Sequence, residues 1–278
     1  MARTKAISLV NGANKVELAE VSGLVIQNIQ KDTLASGLKS QSYTGNPTAG
    51  SVEYKRVKNA VSQEYGTARA AAKGDNIDAA PVTVNLDTHR EIVEEAAKFD
   101  LDTVGVGNVM ARRGDSHTDA VVAELDTAFF QCGKDAGTAF TPAQTELAKV
   151  LEELIQAVET TKNDYTRGVP RHMIRVVCSP SFYGDIRELL DTKSNPNVDT
   201  AAEEFGTYHG VRFYSNVFMP ADVKAEAMVE GAIAQPVVVY PYAEPEKIPM
   251  SNDYAISMFY DYGTKALSPD LIYVYSAA

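Results

Sequence analysis

Residues 38–88 constrain the chain most, because they read as extended backbone with too few apolar side chains to stand alone. Lys39-Ser40-Gln41-Ser42-Tyr43 leads into Thr44-Gly45-Asn46-Pro47-Thr48-Ala49-Gly50, a run dense in turn formers. The polar, β-leaning stretch Ser51-Val52-Glu53-Tyr54-Lys55-Arg56-Val57-Lys58 follows. In Pro81–Asp87 the apolar side chains fall at 82, 84 and 86, the period of a half-buried strand. The first two parts predict a long hairpin with a Gly-Asn-Pro tip, and the third predicts a strand tying it to a larger body. A two-stranded ribbon this polar is not stable by itself in water. Its expected partner is another surface, such as a second copy of the chain.

The remaining order of elements is mixed rather than a regular βα repeat, which predicts an α+β fold. Residues 1–36 read as short pieces, with 23–29 open between strand and helix. Thr88 followed by Glu91 fits a capping box, and Ile92, Val93, Ala96 and Phe99 share a helical face, so 88–99 is predicted helical. Apolar residues at helical spacing predict one long helix, or two nearly collinear ones, within 102–132, with Arg113–Ser116 read as a break and Asp115 or Ser116 as a new cap. Thr141-Pro142 predicts the start of the next helix, whose stripe is Leu147, Val150, Leu151, Leu154, Ile155 and Val158. Met173–Cys178 reads as a buried strand, and Ser179-Pro180 as the start of a helix. Segments 211–214, 236–240, 254–260, 262–267 and 271–275 read as β.

The net charge is −11 over 278 residues. That excludes a protein that coats nucleic acid through basic patches. It suits a soluble protein that stays dispersed at high concentration. The apolar run after the basic N-terminus, Ala6–Val10, is too short for a signal peptide. No stretch approaches the roughly 18–20 apolar residues that span a bilayer, so no membrane partner and a cytoplasmic site are expected. Cys132 and Cys178 sit in apolar runs and read as buried free thiols.

Catalytic patterns are absent at the level of spacing. Gly105-Val106-Gly107 starts like a dinucleotide loop, but Met110 stands where the third glycine belongs. His89, His117, His172 and His209 lie apart, so neither a metal nor a cofactor is expected. The acid pairs Asp100/Asp102, Glu94/Glu95, Glu152/Glu153 and Glu203/Glu204 read as solvated faces rather than opposed carboxylates. Ser179 or Ser181, between a strand and a helix, keeps open a cytosolic serine hydrolase, although its flanking glycines are missing. Lys55, Arg56 and Lys58 read either as edge-strand protection or as a salt-bridge surface toward an acidic neighbour. Tyr43, Tyr54 and Tyr65 in the same stretch favour an interface. These six residues are the candidate inter-subunit contacts.

In this order of parts the chain resembles the major capsid proteins of tailed bacteriophages, which share the HK97-type fold. The resemblance rests on the extended loop at 38–80 and on Val82–Asp87 before the helical region. It rests also on Arg175-Val176-Val177-Cys178-Ser179-Pro180, on Gly210-Val211-Arg212-Phe213-Tyr214-Ser215-Asn216, and on the ending Tyr262–Ile272. It implies an N-terminal arm (1–36), an extended β-hairpin loop (37–80) and a peripheral domain with a long spine helix (81–140). An axial domain (141–240) and C-terminal strands (241–278) returning to both domains complete it. It further implies a non-enzymatic protein assembling with itself into hexamers and pentamers of an icosahedral shell. That shell encloses double-stranded DNA without sequence-specific binding, and the loop lies across a neighbour. The virion is the implied location, with assembly in the host cytoplasm. Separate scaffolding, portal and decoration proteins are compatible partners; because the chain begins at the arm, either a separate scaffold or a processed form is expected. Some members cross-link a lysine to an asparagine; Lys55, Lys58 and Lys73 lie in the loop, but nothing marks a partner asparagine, and a cross-link is not predicted. An encapsulin-like compartment shell on the same fold is the alternative.

Overall fold

The computed structural model describes residues 21–71, 73, 74, 76–98, 106–193, 207–240, 242, 246–251 and 253–276. The readings of residues 1–20, Phe99, Asp100/Asp102, Gly105 and Glu203/Glu204 lie outside them. The chain divides into two compact units. One is Met1–Gly37, Asn85–Asp126 and Pro236–Gly263; the other is Leu38–Val84, Thr127–Gln235 and Thr264–Ala278.

In the first unit, residues 21–32 form helix α1, with Val25 and Ile29 buried. The short helix α2 (Leu34–Leu38) follows. Its first amides, of Leu34 and Ala35, donate to the buried Asp126 carboxylate at 3.3 and 3.1 Å, the usual solution for orphan N–H groups at a helix start. Strand β3 (Thr88–Ala96) pairs antiparallel with β12 (Tyr254–Tyr262) along nine residue pairs, from Thr88↔Tyr262 to Ala96↔Tyr254. Strands β10 (Val237–Val239) and β11 (Glu246–Lys247) pair with the other edge of β12. The helix predicted over 88–99 is thus overturned. A capping residue stabilises a helix by about 1 kcal/mol. A ladder of nine pairs satisfies the backbone along its whole length, and β-branched Ile92 and Val93 suit it.

Helix α3 (Val106–Ala136) runs 31 residues without interruption. The break predicted at Gly114 does not occur. A Cβ there would stand 3.2 Å from Val25 Cγ2 and 3.5 Å from Val21 Cγ1, so this glycine serves close packing of α1 rather than a turn. Arg113 pairs with Glu94 on β3 and, with burial opposing, holds that carboxyl down to about 2. His117, buried, places Nδ1 2.7 Å from the Tyr242 hydroxyl and Nε2 3.0 Å from Glu94. Glu124 accepts from Arg90 Nε (2.5 Å) on β3 and from the hydroxyls of Tyr260 (2.6 Å) and Tyr262 (2.9 Å) on β12.

The second unit centres on a six-stranded sheet. Its strands are β4 (Thr138–Phe140), β14 (Ile272–Ser276), β8 (Val223–Val229), β5 (Ile174–Cys178), β7 (Val211–Ser215) and β6 (Thr207–Tyr208), in that spatial order. Helices α4 (Leu147–Glu159) and α5 (Pro180–Lys193) cover one face. Leu151, Leu154, Ile155 and Ile186 pack there on Val176, Phe213 and Ala227. Helix α4 begins at Leu147, not at the predicted Pro142. Residues 141–146 carry no apolar stripe, so nothing draws them onto the sheet as a helical turn. The end of α3 seats on the opposite face. A Cβ on Gly137 would lie 2.9 Å from Ile272 Cγ2 and Val274 Cγ2, and one on Gly133 would lie 2.5 Å from Glu226 Oε2. Cys178 is buried and Cys132 half-buried, both as free thiols. Among the described residues no helix is long and apolar enough to cross a membrane.

Candidate assembly surface

The segment from Leu38 to Asp78 belongs to the second unit, and its first half is anchored there. Ser40 donates its amide to Ile233 O at 2.9 Å, and Gly231 donates to Leu38 O at 2.8 Å. The long hairpin predicted over 39–58 is reduced to one antiparallel bridge, Thr44↔Glu53. Between them Asn46 caps a 3-10 turn over Pro47–Ala49, and Gly50 closes it with φ 85°, a left-handed backbone that glycine adopts without strain. Strand β1 (Ser51–Val57) finds its sheet partner instead in β2 (Ala79–Asn85). The reason is apolar: Val52 and Tyr54 face inward and pack with Val84, Ala234 and Leu267, while residues 39–43 offer one aromatic side chain.

This separates the six candidate contact residues into two sets. Tyr54 is buried; burial, and then neighbouring Tyr43, pushes its hydroxyl up to about 12. Arg56 donates from both terminal nitrogens to Asp270, each at 2.7 Å, and stacks 4.4 Å over the Tyr165 ring. Burial would raise the Asp270 carboxyl, but Arg56 and Asn163 more than offset it and the net shift is downward. These two side chains fix the base of the segment within the chain. The others face outward. Tyr43 is half exposed, its ring 5.8 Å from that of Tyr54. Lys55 lies 3.9 Å from Glu53, Lys58 lies 2.7 Å from Asp78, and Tyr65 is 92% exposed.

From the end of β1 onward the segment carries uncovered apolar side chains. Val57, Val61 and Ile77 are exposed, Val61 at 71% and Ile77 at 89%. Sequence reasoning passed over these three, although apolar residues without a periodic partner in a polar run are a signal of this kind. Backbone bonds from Asn59 to Asp164 O (2.8 Å) and from Lys58 to Asp78 O (3.0 Å) hold the two ends of the excursion.

Ser179 Oγ and Ser181 Oγ lie 3.4 Å apart at the start of α5, whereas His89, His117 and His209 are bonded to Asp261, Tyr242 and Glu152. Among the described residues no group of three or more His, Cys, Asp or Glu could hold a metal.

The profile of the family described as phage capsid protein matches residues 89–275. No curated protein matches the sequence. Among solved structures, the chain is similar to that of Mycobacterium phage Che8 at 17% identity and TM-score 0.60, covering 86% of this chain and 93% of that one. It is similar to the capsid of cyanophage P-SCSP1u at 13% identity and TM-score 0.65, covering 88% of each. It is also similar to a virus-like particle from Pyrococcus furiosus at 10% identity and TM-score 0.56, covering 93% and 97%.

Proposed function

The chain belongs to the phage capsid protein family, with an HK97-type fold and a structural role in the phage head, and on that premise we propose how it builds the shell. Copies associate as hexamers and pentamers of an icosahedral lattice. Each copy extends residues 57–78 onto a neighbour, which covers Val57, Val61, Tyr65 and Ile77. Those exposed side chains, leaving a base locked by Tyr54 and Arg56, are the observation that carries the reading. Tyr43, Lys55, Lys58 and Tyr65 meet the neighbour at the rim, where charges set register and encounter rate more than affinity. The division into arm (1–36), loop (37–80), peripheral domain (81–140), axial domain (141–240) and C-terminal strands (241–278) assigns these roles.

The protein performs no catalysis in this reading. Its shell encloses double-stranded DNA without reading sequence, which the net charge of −11 favours over direct coating. Scaffolding, portal and decoration proteins are the partners expected during assembly in the host cytoplasm. A compartment shell on the same fold is the second reading. The likeness to the Pyrococcus furiosus particle supports its fold alone, whereas the family profile favours the phage head.

Negative-stain microscopy of the purified chain, alone and with a co-expressed scaffold, tests the proposal. Closed shells are expected. A chain that stays monomeric under both conditions contradicts it.

A further inference from the structure

Strand β8 lies in the middle of the six-stranded sheet and is buried almost throughout. Glu226 sits at its centre, with no exposed surface and with Val274 and Val177 as its register partners on either side. Neither carboxyl oxygen has a hydrogen-bond partner. Overhead is Gly133 in the last turn of α3, and any larger residue there would collide with Glu226 Oε2. A carboxylate buried in this way, without a donor, costs several kcal/mol, so the group is held neutral. Burial is the dominant cause of its upward shift.

The charges facing this site are few. From α3, Lys134 acts on Glu226, and Cys132 feels it weakly. Lys134 is engaged elsewhere, 2.7 Å from Asp222, just before β8. On β5, Arg175 bonds Glu230 at 2.9 Å; on β8, Lys224 stands over the Tyr275 ring. Asp222 ends the loop that carries the exposed Val217 and the partly exposed Phe218.

We propose that Glu226 is a proton-controlled latch between the end of α3, the sheet and the 216–222 loop. With its proton on, the neutral carboxyl lies under Gly133 and Lys134 is left to hold Asp222. When the proton passes to solvent, the carboxylate draws on Lys134, the cation that acts on it among the described residues, and takes it from Asp222. The seat of α3 at Gly133–Gly137 then loosens, and the loop bearing Val217 and Phe218 loses one of its ties, keeping the bonds from Asn216 to Cys178 O and from Phe218 to Asn216. The direction follows from linkage. A carboxyl held neutral in the fold contributes full stability below the ordinary glutamate range, about 4.3, and loses it as pH rises through its folded value.

Hydrogen exchange on the full-length chain, corrected for intrinsic rates, tests the latch from mildly acidic to alkaline pH. In the wild type, protection at 132–137 and 222–226 should fall by up to about tenfold per pH unit from the ordinary glutamate range, about 4.3, up to the folded value of Glu226, and level off above it, as expected for one proton. Glu226→Gln should hold that protection flat, and Lys134→Met should move the loss to higher pH by removing the counter-ion. Infrared spectra supply a readout that does not depend on the variants folding: a protonated buried carboxyl band that persists above the ordinary glutamate range and is lost as pH rises further. Identical exchange profiles in wild type and Glu226→Gln overturn the latch. So does an infrared spectrum showing every carboxyl ionised already in mild acid.

Discussion

Glu124 and Glu226 are both glutamates lying between helix α3 and a sheet, and their surroundings drive them in opposite directions. Burial pushes Glu124 up, but Tyr260, Tyr262 and Arg90 donate to it and together bring it below its ordinary range. Burial pushes Glu226 up with no donor to oppose it, and the distant pull of Lys134 does not reverse the shift. Burial alone therefore does not decide whether a carboxyl in this protein is charged; the donors around it do. The first part of α3 meets β3 and β12 through a satisfied polar network. The last part meets the six-stranded sheet through two glycines and van der Waals contact. One seat is built to hold charge, and the other holds as long as charge is absent.

The largest effect that could break this comparison lies at the apolar seat. Gly137→Val would drive its side chain into Gly133 O, 2.6 Å from the Cβ, and into Ile272 and Val274. Overpacking on this scale costs about 3 kcal/mol. Chemical denaturation should show that loss; an unchanged midpoint would mean that the seat is looser than the distances imply. Next comes the satisfied network. Glu124→Leu leaves Arg90 and two tyrosine hydroxyls short of an acceptor and should cost about 2 kcal/mol. Glu226→Gln strips no donor of its partner and should raise the thermal midpoint at neutral pH, with the gain vanishing in mild acid. If both substitutions destabilise alike, the contrast between the two seats is wrong.

The two glutamates also predict pH dependences of opposite sign. Glu124, lowered in the fold, contributes stability above its unfolded value of about 4.3 and loses it as pH falls through its folded value. Glu226, raised in the fold, contributes below that same value and loses its contribution as pH rises. Tyr260→Phe removes one donor from Glu124, so acid unfolding should begin at higher pH than in the wild type. The limb that falls with rising pH, which belongs to Glu226, should stay in place. A variant that moves both limbs equally would show that the two sites are not independent.

Part of this was legible in the residues. The alternation of Val82, Val84 and Leu86 marked β2, and the stripe from Leu147 to Val158 marked α4, because both patterns repeat a single local period. The stretch 88–96 was misread because its apolar spacing fits a helix locally, and β12, its partner, lies more than 150 residues on. Gly114 was misread because a glycine within a helical pattern signals a break and a close approach equally well. In the assembly segment, tyrosines and basic residues stood out by composition. Nothing in the sequence told Arg56, committed to Asp270, from Lys58, left at the surface. Glu226 gave no signal at all: a glutamate within Lys224-Ala225-Glu226-Ala227 looks like a solvent-facing position, and its burial comes from strands on both sides and a helix above.

The smallest effect on the isolated chain is expected where charge meets no burial. Lys58 and Asp78 form a 2.7 Å pair, and each shifts the other's pKa in the favourable direction. Water surrounds both, salt screens them, and holding two flexible side chains together offsets much of what is gained. Lys58→Ala should leave the thermal midpoint of the unassembled chain where it is. Deleting Gly45–Gly50 should also spare the fold, since that turn buries no side chain and Val52 and Tyr54 keep their packing on Val84 and Ala234. In the shell the order reverses, because the outward face of this segment is the one proposed to meet a neighbour. Both changes should lower the yield of closed particles or their resistance to heat, the deletion more than the point substitution. Particle counts by microscopy, set beside melting curves of the unassembled chain, separate the two outcomes. Equal losses in both measurements would mean that the segment serves its own fold, and unchanged particles would remove it from the interface.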